Sequence, residues 1–98
     1  MILVRDVFQL RFGKAREAKA LAKEGMEIEK KYGYGPGRLL TDLTGPYYTL
    51  VMETTYANMT EFEKALKDLL GNKEFGEWYQ KMVPLVESGR REMYTVVE

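Results

Sequence analysis

The period of the hydrophobic pattern switches along this chain in an order that few folds accommodate. Residues 2–12 alternate, with Val4, Phe8, Leu10 and Phe12 on one side together with Asp6, and Arg5, Val7, Gln9 and Arg11 on the other. Period two with β-branched and aromatic side chains predicts a strand, which Gly13 ends. Residues 14–32 then repeat at three and four, placing Ala15, Ala18, Leu21, Ala22, Gly25 and Ile28 opposite a face of Lys and Glu. That spacing predicts an amphipathic helix of about five turns. Its small stripe residues let it lie close on a sheet, and Gly33 suits a left-handed C-cap. Residues 38–44 and 47–56 read as two more strands, joined as a hairpin through Thr44-Gly45-Pro46. Asn58, with Glu61 three positions on, forms a capping box for a second helix whose buried stripe includes Phe62, Ala65 and Leu69. Gly71-Asn72 interrupts it. A further helical piece carries Phe75, Trp78, Tyr79 and Met82, and Pro84 limits its length. Ser88-Gly89 is expected to turn the chain, leaving residues 90–97 to alternate as the last strand.

The order βαββαβ is the split arrangement of ferredoxin-like α+β domains: one four-stranded antiparallel sheet with the helices on one face. With 98 residues there is room for a single domain, residues 1–98. The second sheet face then lacks a cover. Strand one shows it Leu3, Arg5, Val7, Gln9 and Arg11, and the other strands add Leu39, Leu43, Tyr47, Val51, Met93 and Val97 as candidates. A wet face alternates cleanly to polar residues, and monomers rarely expose large apolar patches. A two-fold axis pairs such a patch with itself, so a homodimer with its sheets face to face is expected.

Composition narrows the chemistry. Fifteen basic and fifteen acidic side chains give a net charge of zero, which argues against a nucleic-acid partner. The chain has no histidine and no cysteine, so the usual metal and haem ligands, thiol nucleophiles and disulfides are missing. No metal and no cofactor are expected. Met1-Ile2-Leu3-Val4 meets Arg5 too soon for a signal-peptide core, and no run reaches the roughly 20 apolar residues of a membrane span. The expected location is the cytoplasm. Few Asn, Gln and Ser beside abundant Glu, Lys and Arg suit a thermophilic host. Gly33-Tyr34-Gly35-Pro36-Gly37 follows a helix and precedes a strand, the reverse of the order a phosphate-cradling loop needs.

Five stretches carry candidate chemistry. Alternation sends Asp6 toward the helices, where a carboxylate is either a pocket acid or base with a raised pKa or the partner of a cation such as Arg90 near the strand end. Glu29 falls in line with Ala15, Ala18 and Ala22, so it faces the helix–sheet cleft or escapes to water beyond the sheet edge. Trp78, beside Phe75, Tyr79 and Met82, is a stacking platform for a planar ligand or an ordinary core residue. Tyr34 gates a pocket from its loop or is an exposed turn residue. Arg90 and Arg91 go to opposite faces, one to hold an anion or carboxylate, or both to form surface pairs with Glu53, Glu87 or Glu92.

The opening Arg5-Asp6-Val7-Phe8-Gln9-Leu10, the hairpin Thr44-Gly45-Pro46-Tyr47-Tyr48-Thr49-Leu50-Val51-Met52-Glu53 and the tail from Pro84 to Tyr94 resemble the dimeric α+β barrel superfamily. The local likeness is strongest to NIPSNAP-like members and to antibiotic-biosynthesis-monooxygenase-like domains. The resemblance implies a pocket between sheet and helices in each subunit, and activities that range from cofactor-free oxygenation to lactone isomerisation. It also includes haem degradation, whose histidine ligand this chain lacks. Two readings follow. In the first, a homodimer binds a small apolar or aromatic molecule, with Trp78, Tyr34, Tyr48 and Arg90 as ligand contacts. In the second, a cofactor-independent monooxygenase or isomerase acts on a small phenolic or lactone-like substrate. Asp6 or Glu29 is then the base, Trp78 the platform, and Tyr34, Tyr48 or Arg90 the anion stabiliser.

Overall fold

The structure, a computed structural model, describes residues 1–97. Strand β1 (Ile2–Leu10) leads into α1 (Ala15–Lys31), and β2 (Gly37–Thr41) and β3 (Thr49–Tyr56) form a hairpin. Helices α2 (Met59–Leu70) and α3 (Lys73–Met82) follow, and a 3-10 turn at Val83–Leu85 passes the chain to β4 (Val86–Thr95). All neighbouring strands are antiparallel and the sheet order is β2-β3-β1-β4. This is the ferredoxin-like α+β arrangement, with α3 as a separate helix between α2 and the last strand. No helix among the described residues is long and apolar enough to cross a membrane.

Side-chain caps set where the two later helices begin. The Asn58 side-chain oxygen accepts from the Glu61 backbone N–H at 2.9 Å, and that of Asn72 from Phe75 at 2.9 Å. Each satisfies a donor that the first helical turn cannot. Gly71-Asn72 therefore both stops α2 and starts α3.

The core lies between the sheet and α1 with α3. Leu10, Leu50 and Met52 of the sheet pack with Ala18, Ala22, Trp78 and Met82. Ala18 and Ala22 are wholly buried, and their small side chains bring α1 close to the strands. Gly25 extends the same approach, since a Cβ there would stand 2.4 Å from Trp78 Cζ2. The indole also donates its N–H to the Leu21 carbonyl at 2.6 Å, which fixes it against α1.

The strand limits differ from the expected ones, with consequences for facing. β1 ends at Leu10, so Phe12 does not meet the helices; it is 78% exposed and stands edge-on to Tyr48 with centroids 4.9 Å apart. The hairpin connection is residues 42–48, longer than the expected Gly-Pro turn, and Asp42 anchors it by accepting the Thr49 N–H at 2.9 Å. Ser88-Gly89 does not turn the chain, because β4 runs straight through it. Gly89 instead faces Phe8, whose Cδ1 would lie 2.8 Å from an added Cβ, so the missing side chain makes room for a ring. The register shifts between Gln9 and Leu10, where β4 slips from Ser88 to Val86 and a bulge resets its alternation.

The uncovered face is also more polar than expected. Leu39 pairs with Met52 and packs on the core, and Met93 pairs with Val4, so both belong to the helix side. Leu43, Tyr47 and Val97 lie beyond the strands. Across the uncovered face runs a row of charges in register, Arg38, Glu53, Arg5 and Glu92 on β2, β3, β1 and β4. Arg38 Nε is 2.6 Å and Arg5 Nε 2.8 Å from the Glu53 carboxylate, and Arg5 Nη1 is 3.2 Å from Glu92. Glu53 is only 6% exposed, so its two guanidinium partners supply the stabilisation that water would otherwise give. Apolar residues flank the row: Leu40, Val51 and Val7 on one side, Leu3 and Tyr94 on the other.

Candidate functional site

On the helix side, a cavity of about 360 Å³ opens between the sheet and helices α2 and α3. Its walls follow from the two periods. Even-numbered residues of β1 and β3 point into it, giving Val4, Phe8 and Met52, while Phe62 and Leu66 of α2 and Met82 of α3 close it from above. The wall is largely apolar, but polar groups gather among Asp6, Arg91, Tyr56 and Glu29.

Each of these four comes from a different element. Asp6 and Arg91 are cross-strand partners on β1 and β4, and Arg91 Nε donates to Asp6 Oδ1 at 2.7 Å. The same guanidinium rests 5.3 Å from the centre of the Phe62 ring. Tyr56, the last residue of β3, meets that ring edge-on with centroids 5.3 Å apart. Phe62 is thus held between a cation and a phenol. Glu29 reaches the group from the last turns of α1. Burial, and secondarily the charge of Asp6, push its carboxyl up to about 7. Burial likewise pushes the Tyr56 phenol up to about 12, with Glu29 and Asp6 adding to the effect. A carboxyl that titrates near neutrality beside an apolar space can give or take a proton, or carry the counter-charge of a ligand.

The structure brings Asp6, Glu29 and Trp78 together on this cavity. Trp78 is at the same time a core residue, 8% exposed and bonded to Leu21, so its two alternative readings coincide in one side chain. The other three candidates lie elsewhere. Tyr34 is outside the cavity lining, and its hydroxyl donates to Asp68 at 2.6 Å, tying the loop after α1 to α2. Tyr48 sits at the end of the hairpin connection with φ 57, a left-handed conformation that takes it out of the strand's alternation, and it packs on Phe12. Arg90 is on the uncovered face, its Nε 2.8 Å from Glu92. The partner of Asp6 is Arg91, because Asp6 and Arg91 share a register position and therefore a face.

Two residues of the site went unmarked in the sequence, Tyr56 and Phe62. Period two counted back from Tyr56 through Thr54, Met52 and Leu50 places the phenol on the helix side, and that signal was present. The Phe62 ring between Tyr56 and Arg91 has no such signal, since a stripe residue of α2 reads the same whether it meets core or cavity.

No family model matches the chain, and no curated protein matches it. Solved structures do. A NIPSNAP family protein from Agrobacterium tumefaciens superposes with TM-score 0.87 at 16% identity, over 99% of this chain and 93% of that one. A NIPSNAP domain protein from Burkholderia xenovorans gives 0.86 at 17% identity, over 99% and 95%. A mutant of a cofactor-independent oxygenase from Streptomyces nogalater gives 0.76 at 13% identity, over 99% and 93%. The chain has the ferredoxin-like fold of NIPSNAP proteins, shared with this cofactor-independent oxygenase.

Proposed function

We propose that the protein is a cytoplasmic homodimer that binds a small, mostly apolar or aromatic molecule between its sheet and helices. The observation that carries this reading is the cavity itself: about 360 Å³, apolar over most of its wall, with polar groups gathered at Asp6, Glu29, Tyr56 and Arg91. Ligand sites are typically of about this size and combine an apolar lining with a few convergent polar groups. Trp78, the chain's one tryptophan, lines the cavity and is a built-in reporter. Titration with naphthalene-sized aromatic probes should change its emission in a saturable way. Leu66→Phe, which pushes a ring into the space, should weaken that binding at least tenfold. A flat titration with every neutral, cationic and anionic probe overturns the reading.

Glu29 favours a second reading. A carboxyl at about 7 in a largely apolar site is matched to general-base work at neutral pH. In a cofactor-independent oxygenase or isomerase it would take a proton from a phenol or lactone-like substrate, and Tyr56 and Arg91 would face the developing anion. Turnover should then rise with pH through about 7 and be lost in Glu29→Gln. Unchanged turnover in both Glu29→Gln and Asp6→Asn removes the two carboxyls that line the cavity among the described residues from the chemistry.

A further inference from the structure

The polar groups of the cavity are unevenly paired. The Arg91 guanidinium is committed to Asp6 on one side and to the face of Phe62 on the other. Glu29 approaches from α1, and among the described residues no ion pair or side-chain hydrogen bond reaches its carboxyl. Six aromatic rings line the same space: Phe8, Tyr56, Phe62, Phe75, Trp78 and Tyr79.

The three charge classes of ligand fare differently here. An anion meets two carboxyls and one cation that is already engaged. A neutral molecule leaves Glu29 without a partner whenever it is ionised. A protonated amine pairs with Glu29, and aromatic faces stabilise a cation further, more so once water is excluded. We infer that the ligand of this cavity is an amine, a protonated nitrogen on a compact aromatic or aliphatic body, with its ammonium against Glu29 and its body among the rings. This rests on the cavity being a ligand site.

Proton linkage gives the inference a second handle. The ionisable groups that share the cavity with Glu29 are Asp6 from β1, Tyr56 from β3, Tyr79 from α3 and Arg91 from β4. Glu29 takes up its proton at about 7, whereas Tyr56 loses its own only at about 12. Amine affinity should therefore fall as pH drops below 7, approaching a tenfold loss per pH unit.

Titration calorimetry with 1-naphthylmethylamine, 1-naphthylmethanol and 1-naphthoic acid separates the cases, because the three bodies match and only the charge differs. At pH 8 the amine should bind at least tenfold more tightly than the alcohol. That preference should disappear in Glu29→Gln, and in the unaltered protein amine affinity should drop about thirtyfold between pH 8 and pH 5.5. Alcohol binding as tight as the amine, or acid binding that exceeds it, overturns the amine while leaving the cavity reading in place. Failure of all three probes overturns both.

Discussion

Glu29 sets a pH slope as well as a ligand preference. Its carboxyl titrates at about 7 in the folded chain, against an ordinary value of 4.5. The folded state therefore holds this proton more tightly than the unfolded state, and the associated stability is fully present below 4.5 and lost as pH rises through 7. Above neutrality the ionised group costs about 3 kcal/mol, scaled from 1.36 kcal/mol per pKa unit. Glu29→Gln should raise the denaturant midpoint at pH 8, leave it little changed at pH 4.5, and flatten the dependence in between. Urea titrations at four pH values check this, and a variant less stable than the parent at pH 8 would remove the assigned burial of the charge. Gly25 makes the opposite case, a residue defined by what it lacks. With Trp78 Cζ2 2.4 Å from where a Cβ would stand, Gly25→Ala forces the indole or α1 to move. Overpacking of this kind costs about 1–3 kcal/mol. The same variant should redshift Trp78 emission as the ring leaves its slot against Leu21. Wild-type stability and emission together would show the slot to be slack.

The elements were legible in the sequence because each announces its period, and the later helices announce their starts, whereas the strand limits were not legible. The caps are the sharpest case: Asn58 was readable as a helix start from Glu61 alone, and the bond is there. Asn58→Ala and Asn72→Ala should each lower stability by about 1 kcal/mol, and nearly additively since they cap different helices. Thermal denaturation of the two single variants and the double one checks both size and additivity. Facing was harder to read than existence. Leu39 and Leu40 are adjacent and both apolar, so alternation alone does not say which meets the helices; pairing with Met52 decides for Leu39. Ser88-Gly89 carries the composition of a turn, yet here the glycine answers a ring on the neighbouring strand. That neighbour, Phe8, is far away in sequence. Of the site, Asp6, Glu29 and Trp78 could be placed by period. The choice of Arg91 over Arg90 depends on a bulge that no local pattern reveals, and Tyr48 left its strand through a backbone conformation that tyrosine rarely adopts.

For the whole molecule, the unresolved balance is between its two sheet faces. One is closed by helices except for the cavity. The other is open, and Tyr94 on it remains 49% exposed. In the proposed homodimer this face is buried by a second copy, so sedimentation at micromolar concentration should give twice the chain mass. Tyr94→Glu should give a folded monomer, because it places an unpaired charge within the apolar flank of the face. A single-chain mass for the unaltered protein would sink the homodimer and leave the cavity untouched.

The charge row on that face has a direction. Read from β2 to β4, Arg38, Glu53, Arg5 and Glu92 run plus, minus, plus, minus. A sequence of signs like this one complements its own reverse and opposes its own copy. A two-fold axis along the strands lays the row on its reverse, setting Arg38 over Glu92 and Glu53 over Arg5. An axis across the strands sets every charge over its twin. The face thus works like a keyed connector, matched to itself in one sense of rotation and refused in the other.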